Sequence, residues 1–251
     1  MANGSRLMKM ESIAAATLAP VTFISSATNP LTLLDEANFN SSRKLFVPVD
    51  NGYQPNVISI SPTKKIMEVV ERLRRDNPSV DWNDTKETAV FMMGAIREMT
   101  RKKEMPGSGK YEFSDYFKDL KKDNVTEITP DRIFATRNTV CLEHSVALAS
   151  ALAYLGMKPG IILMDSERDG NLRGHVVVGI SAGKETIFLD PTNGIHSNDL
   201  ATIAKTADKS AEWKVYPAIP YKEAHSAYLN LKFEDKINAD FGWLRVGIKT
   251  E

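Results

Sequence analysis

The chain has 251 residues, with 32 lysines and arginines balanced by 32 aspartates and glutamates. That balance excludes the basic footprint of a nucleic-acid binder or a membrane-surface protein, and no apolar run reaches the length of a membrane span. One cysteine, Cys141, rules out an intrachain disulfide and fits a reducing compartment.

The first segment is double-edged. Ile13–Ile24 is apolar, follows Arg6 and Lys9, and leads into the small residues Ser25, Ser26 and Ala27. Those are traits of an export signal, but Glu11 spoils the basic leader and Pro20 interrupts the apolar stretch. The expected location is therefore cytoplasmic, with export through this segment as the alternative. Residues 29–62 are rich in Asn, Ser and Pro and read as irregular structure with one or two edge strands, Lys44–Pro48 among them.

Helices follow. Ser61-Pro62-Thr63 marks a helix start, and Ile66, Val69, Val70 and Leu73 then recur at helical spacing. Asn83-Asp84-Thr85 caps a second helix whose expected buried face is Val90, Phe91, Met92, Ala95, Ile96 and Met99, with the methionines as core filler. Arg101-Lys102-Lys103 complements its C-terminal dipole. Met105–Gly109 breaks the chain, and Tyr111–Lys122 is a short amphipathic helix carrying Phe113, Tyr116, Phe117 and Leu120.

Cys141 opens the most distinctive stretch. Residues 141–155 are rich in Ala and Leu, the strongest helix formers, and past Ser145 they are apolar on nearly every side. That is the pattern of a helix buried all round. Gly156 ends it, and Asn138 or Thr139 is the expected cap. Cys141 then lies in the first turn, where unpaired N–H groups and the dipole favour negative charge. Glu143 favours the same helix N-terminus. A metal pair of Cys141 and His144 lacks further ligands at any zinc-type spacing, and no phosphate-binding glycine loop is present.

Downstream, Ile161–Met164 reads as a buried strand and Asp165–Asn171 as a polar loop bordering the site. His175 begins the β-branched run Val176-Val177-Val178. Ser181–Lys184 turns the chain, and Thr186–Leu189 returns to Asp190-Pro191, where proline stops the ladder. The hairpin makes His175 and Asp190 expected cross-strand neighbours. A thiol at a helix head, an imidazole to take its proton and a carboxylate to orient that imidazole are the parts of a nucleophilic triad. Asn198–Ala207 then reads as helix, and Trp213–Tyr216 and Phe241–Ile248 as strands, either completing the sheet or lining a substrate groove.

These residues carry a family resemblance. Thr139-Val140-Cys141 with Leu155-Gly156, Arg173-Gly174-His175, and Leu189-Asp190-Pro191-Thr192 resemble the transglutaminase-like core of the papain-like cysteine enzymes, over about residues 131–194. The resemblance implies an α+β fold with a central helix packed on an antiparallel sheet, preceded by additional N-terminal helices. It implies Cys141 as nucleophile, His175 as base and Asp190 as orienter. Two positions depart from the family pattern: Asn138-Thr139-Val140 stand where a glycine usually precedes the cysteine, and Val177 stands where an aromatic commonly follows the histidine. On this reading residues 1–60 form an N-terminal extension, partly irregular, and 61–251 the catalytic domain.

The expected chemistry is cysteine-dependent acyl transfer on carboxamides of proteins or peptides, as a deamidase, transglutaminase or peptidase. An enzyme of this class needs oxyanion donors. The backbone N–H of Cys141 is one candidate; Asn138, Val140 and the single glutamine, Gln54, are the others. No organic cofactor or metal is implied, and the partner is a protein or peptide substrate. The alternatives are an acyltransferase to a small amine and a non-enzymatic binding scaffold of the same fold.

Overall fold

A helix with no polar face to give to water must be surrounded, and the architecture is arranged around that requirement. The computed structural model describes residues 43–46, 57–100, 113–123, 125–136, 139–168, 171–207, 213–217, 219–220 and 246–248. In chain order these form β1 (Arg43–Phe46), β2 (Val57–Ile60), α1 (Lys64–Asp76), α2 (Thr85–Thr100), α3 (Phe113–Lys122), α4 (Arg132–Ala135) and α5 (Cys141–Tyr154). Then come β3 (Gly160–Arg168), β4 (Asn171–Ala182), β5 (Glu185–Asp190), β6 (Ile195–Ser197), α6 (Leu200–Ala207), β7 (Trp213–Pro217), β8 (Ile219–Pro220) and β9 (Val246–Ile248).

The fold is α+β. The main sheet has the order β6-β5-β4-β3-β7-β9 with every pair antiparallel. A smaller sheet has the order β2-β1-β8. The last strands, β7 and β9, extend the main sheet beyond β3. No helix among the described residues is long and apolar enough to cross a membrane.

α5 is enclosed as its sequence requires. Leu142 to Ala153 are all buried, packed between β4 on one side and α1, α2 and β2 on the others. Alternation along β4 sends Val176, Val178 and Ile180 to this core, together with Ile187 and Leu189 of β5. Val177, Phe188, Ile162 and Met164 go to the opposite face, where α6 covers them with Leu200, Ile203 and Ala204. Each Val, Leu, Ile, Met or Phe among them contributes on the order of 1.5–3 kcal/mol by burial. Two hydroxyls tie α5 down: Ser145 Oγ donates to the Val176 carbonyl at 2.9 Å, and the Ser61 N–H donates to Ser150 Oγ at 3.1 Å. The helix ends at Gly156, whose φ of 81° lets the Met157 N–H reach back to the Leu152 carbonyl at 3.0 Å.

The two expected helix starts agree with the structure, and several other expectations shift. Thr63 caps α1 by accepting from the Ile66 N–H, and Asp84 caps α2 by accepting from the Glu87 N–H at 2.8 Å. The buried face of α2 is rotated from the expected one. It is Thr88, Ala89, Met92, Met93, Ile96 and Thr100, while Val90, Phe91, Ala95 and Met99 are half-buried. Threonines can lie inward because Thr88 Oγ1 donates to the Asp81 carbonyl and Thr100 Oγ1 to that of Arg97. The polar run after Met164 is not a loop. β3 and β4 continue as a ladder to Arg168 and Asn171. The packed unit also begins before residue 61, because Ile58 and Ile60 of β2 are fully buried in the main core, and the Ser59 N–H bonds to the Ile128 carbonyl at 2.9 Å. The segment 13–27 and the cations of 101–103 lie outside the described residues.

Among the described residues Phe188 is the largest fully buried side chain, and it packs with Leu200, Ile203 and Ala204 of α6 against the sheet. Phe188→Ala should cost about 3–5 kcal/mol in urea denaturation. A loss under about 1 kcal/mol would mean that this second core does not exist.

Candidate active site

Val140 is the residue before α5, extended at φ −118° and ψ 173°, and its side chain cannot cap a helix. Glu143 does that work from the third position: its Oε2 accepts from the Val140 N–H at 2.8 Å. The expected caps are not used. Asn138 lies outside the described residues, and the Thr139 hydroxyl, fully buried, is spent on His144 Nε2 at 2.8 Å. Cys141 is thus the first residue of the helix and remains partly exposed, so a reagent can reach it.

His175 and Asp190 meet, though not as expected. The β4–β5 register pairs Val178 with Leu189, and His175 lies opposite Met164 of β3. His175 is therefore the fifth residue of its strand rather than the first, and it reaches Asp190 diagonally. Nε2 of the ring bonds to Asp190 Oδ2 at 2.8 Å, which leaves Nδ1 for the thiol. β5 stops at Asp190 because Pro191 cannot continue it. Beside His175 no described strand pairs with that flank of β4, and α5 is tied to the strand there by Ser145 Oγ on the Val176 carbonyl.

Asp190 is fully buried. Its Oδ1 accepts from the backbone N–H groups of Thr192 and Asn193, each at 3.0 Å. Its Oδ2 accepts from Asn193 Nδ2 at 2.7 Å as well as from His175. Gly194, at a φ of 72°, closes the turn with its N–H on the Asp190 carbonyl at 2.8 Å. Burial alone would raise this carboxyl, but His175 and the Asn193 donors hold it below the usual carboxylate range. For His175 burial is the largest single effect and disfavours the charged ring. It is outweighed by the hydrogen bond to Asp190 and by the hydrogen bond and charge of the Cys141 sulfur, and the ring is pushed up to about 10. Such a ring carries its proton at neutral pH.

A second buried acidic side chain stands two residues from Cys141. Glu143 is fully buried. Tyr116 of α3 donates to its Oε1 at 2.6 Å and Arg132 Nε of α4 approaches the same oxygen at 3.4 Å. Burial raises the Glu143 carboxyl despite these partners, and burial followed by the Glu143 charge pushes the Tyr116 phenol well above its ordinary range. The phenol therefore keeps its proton and donates it.

The remaining site expectations are resolved unevenly. Gln54, like Asn138, lies outside the described residues. The Val140 N–H faces Glu143 and so is not available to an oxyanion; the Cys141 N–H, at the first helical position, has no intrahelical carbonyl to meet. No three His, Cys, Asp or Glu side chains are grouped to hold a metal among the described residues. A cavity of about 870 Å³ lies elsewhere, between α1, the end of α2 and α4, lined by Lys65, Arg72, Met99 and Phe134 among others. It touches none of Cys141, His175 and Asp190.

Sequence reasoning missed several supports of the site. Asn193 was legible in principle, since an Asp followed by Pro, Thr, Asn and Gly is a turn in which side chains bond back to the backbone. The roles of Tyr116 and Arg132 had no local signal, because they come from separate helices. In comparisons with known proteins, no family model matches the chain and no curated protein matches it in sequence.

The His175–Asp190 pair sets a pH signature. A raised imidazole contributes stability that is fully present below its ordinary 6.5 and lost as pH rises toward about 10. A lowered carboxyl contributes stability present above its ordinary 3.8 and lost as pH falls through its folded value. The stability difference between wild type and His175→Gln should therefore be largest between those two ordinary values and shrink as pH approaches 10. Urea titrations giving a constant difference over that range would contradict the pairing.

Proposed function

We propose that this protein is a cysteine-dependent acyl-transfer enzyme with a transglutaminase-like, papain-like core, acting on carboxamides of proteins or peptides. The observation that carries the reading is the His175 Nε2 to Asp190 Oδ2 bond at 2.8 Å, on a ring that the neighbouring Cys141 helps to raise. The surrounding architecture supports it: the nucleophile heads a buried helix, and base and orienter sit on adjacent strands of the antiparallel sheet that the helix packs on.

The chemistry follows from the parts. His175 holds the proton of the Cys141 thiol, and the sulfur attacks the carboxamide carbon. The tetrahedral intermediate places its oxyanion near the head of α5, where the Cys141 N–H and the helix dipole favour negative charge. His175 gives its proton to the leaving amine and a thioester remains on Cys141. Water or a second amine then cleaves the thioester, with His175 accepting the proton of the incoming nucleophile. Asp190 keeps the ring in one orientation throughout. Partial exposure of Cys141 beside a fully buried Asp190 is the arrangement such a reaction needs: an accessible nucleophile and a protected orienter.

A glutamine-containing peptide with an added primary amine is the first substrate to assay, following ammonia release, amine incorporation and chain cleavage together. Cys141→Ala should abolish turnover while remaining folded. His175→Ala should lower it roughly a hundred- to ten-thousand-fold, the usual worth of a positioned acid–base. Ammonia alone would define a deamidase, incorporation a transglutaminase and cleavage a peptidase. Equal inertness of wild type and Cys141→Ala on amide, ester and thioester substrates would refute the enzyme reading.

A further inference from the structure

We infer that His144 is a positioning residue that locks the nucleophile arm of the site to its acid–base arm; the inference rests on the reading of Cys141 and His175 as a working pair. His144 lies one turn along α5 from Cys141 and is buried. Both of its ring nitrogens meet threonine hydroxyls. Nε2 bonds to Thr139 Oγ1 at 2.8 Å and Nδ1 to Thr192 Oγ1 at 3.2 Å. These two threonines belong to the two segments that matter. Thr139 is two residues before the nucleophile, and Thr192 is two residues after the orienting carboxylate.

The bonds form a circuit. From His175 it runs to Asp190 Oδ2, from Asp190 Oδ1 to the Thr192 N–H, from Thr192 Oγ1 to His144, and from His144 to Thr139 Oγ1. The chain from Thr139 through Val140 then returns to Cys141. Asp190 fixes the ring of His175 but does not reach the helix. Ser145 on the Val176 carbonyl fixes the helix against the strand but not against the Asp190 turn. Among these bonds His144 supplies the missing side of the frame. A hydroxyl can donate or accept, so each threonine adapts to whichever tautomer the ring adopts. An imidazole is also a rigid spacer. It holds two oxygens on opposite edges of one ring, which an aliphatic side chain of the same volume cannot do.

The loss of one hydroxyl tests this without disturbing the backbone bond to Asp190. Thr192→Val should slow alkylation of Cys141 by iodoacetamide roughly threefold to tenfold, the scale of one hydrogen bond, and should lower kcat more than it raises KM. Thr192→Ser, which keeps the hydroxyl, should restore both. Thr139→Val, cutting the circuit at its other end, should behave as Thr192→Val does. The deciding comparison is made in a His175→Ala background, where Thr192→Val should have no further effect on alkylation, because there is no ring left to align. No slowing, or equal slowing in both backgrounds, would overturn the inference while leaving the triad intact. Failure of His175→Ala itself to slow alkylation would instead overturn the catalytic reading, and this inference with it.

Discussion

The burial of the Asp190 carboxylate is the constraint on which the rest of the site depends. Taking a carboxylate out of water costs several kcal/mol unless donors replace the water. Asp190 is fully buried and meets four of them: the His175 ring, two backbone N–H groups and the Asn193 amide. Three of those donors come from the turn directly after Pro191, so the same carboxylate that aims the imidazole also builds the turn that ends β5. Ending β5 there leaves β4 before Val178 without a β5 partner, and Ser145 of α5 bonds to the Val176 carbonyl in that stretch. Removing the carboxylate would therefore disturb ring, turn and helix approach together.

α5 carries the complementary constraint. A helix apolar on almost every side must be walled in, and the sheet, α1, α2 and β2 do this. Walling it in buries its first turn from Leu142 onward, and with it the one acidic residue of that turn, Glu143. The solution repeats that at Asp190, since Tyr116, Arg132 and the Val140 N–H meet the carboxylate. Two buried carboxylates, one on each arm of the site, thus convert apolar packing into fixed polar geometry. Such networks hold their geometry only when every member is satisfied.

Much of this was legible in the sequence where the cause is local. The Ala- and Leu-rich run after Cys141 dictates a buried helix, Gly156 its end, and Pro191 the end of the return strand. The β-branched run after His175 dictates a strand. What is not legible depends on partners distant in the chain. Register is one example: the tip at Gly183-Lys184 sets Val178 opposite Leu189, and the contact of His175 with Asp190 becomes diagonal. The face of α2 is another, because an internal hydrogen bond lets Thr88 and Thr100 turn inward in place of Val90 and Met99. The cap of α5 is a third. Asn and Thr before the cysteine are good caps by type, yet Thr139 is claimed by His144 and capping falls to Glu143.

The most direct test of the account is the protonation of His175, read from the ring nitrogen and carbon shifts by nuclear magnetic resonance across the pH range. The ring should keep its proton through neutrality and lose it only near 10, with the midpoint falling in both Asp190→Asn and Cys141→Ala. A ring that titrates near its ordinary 6.5 and is indifferent to both substitutions would contradict it.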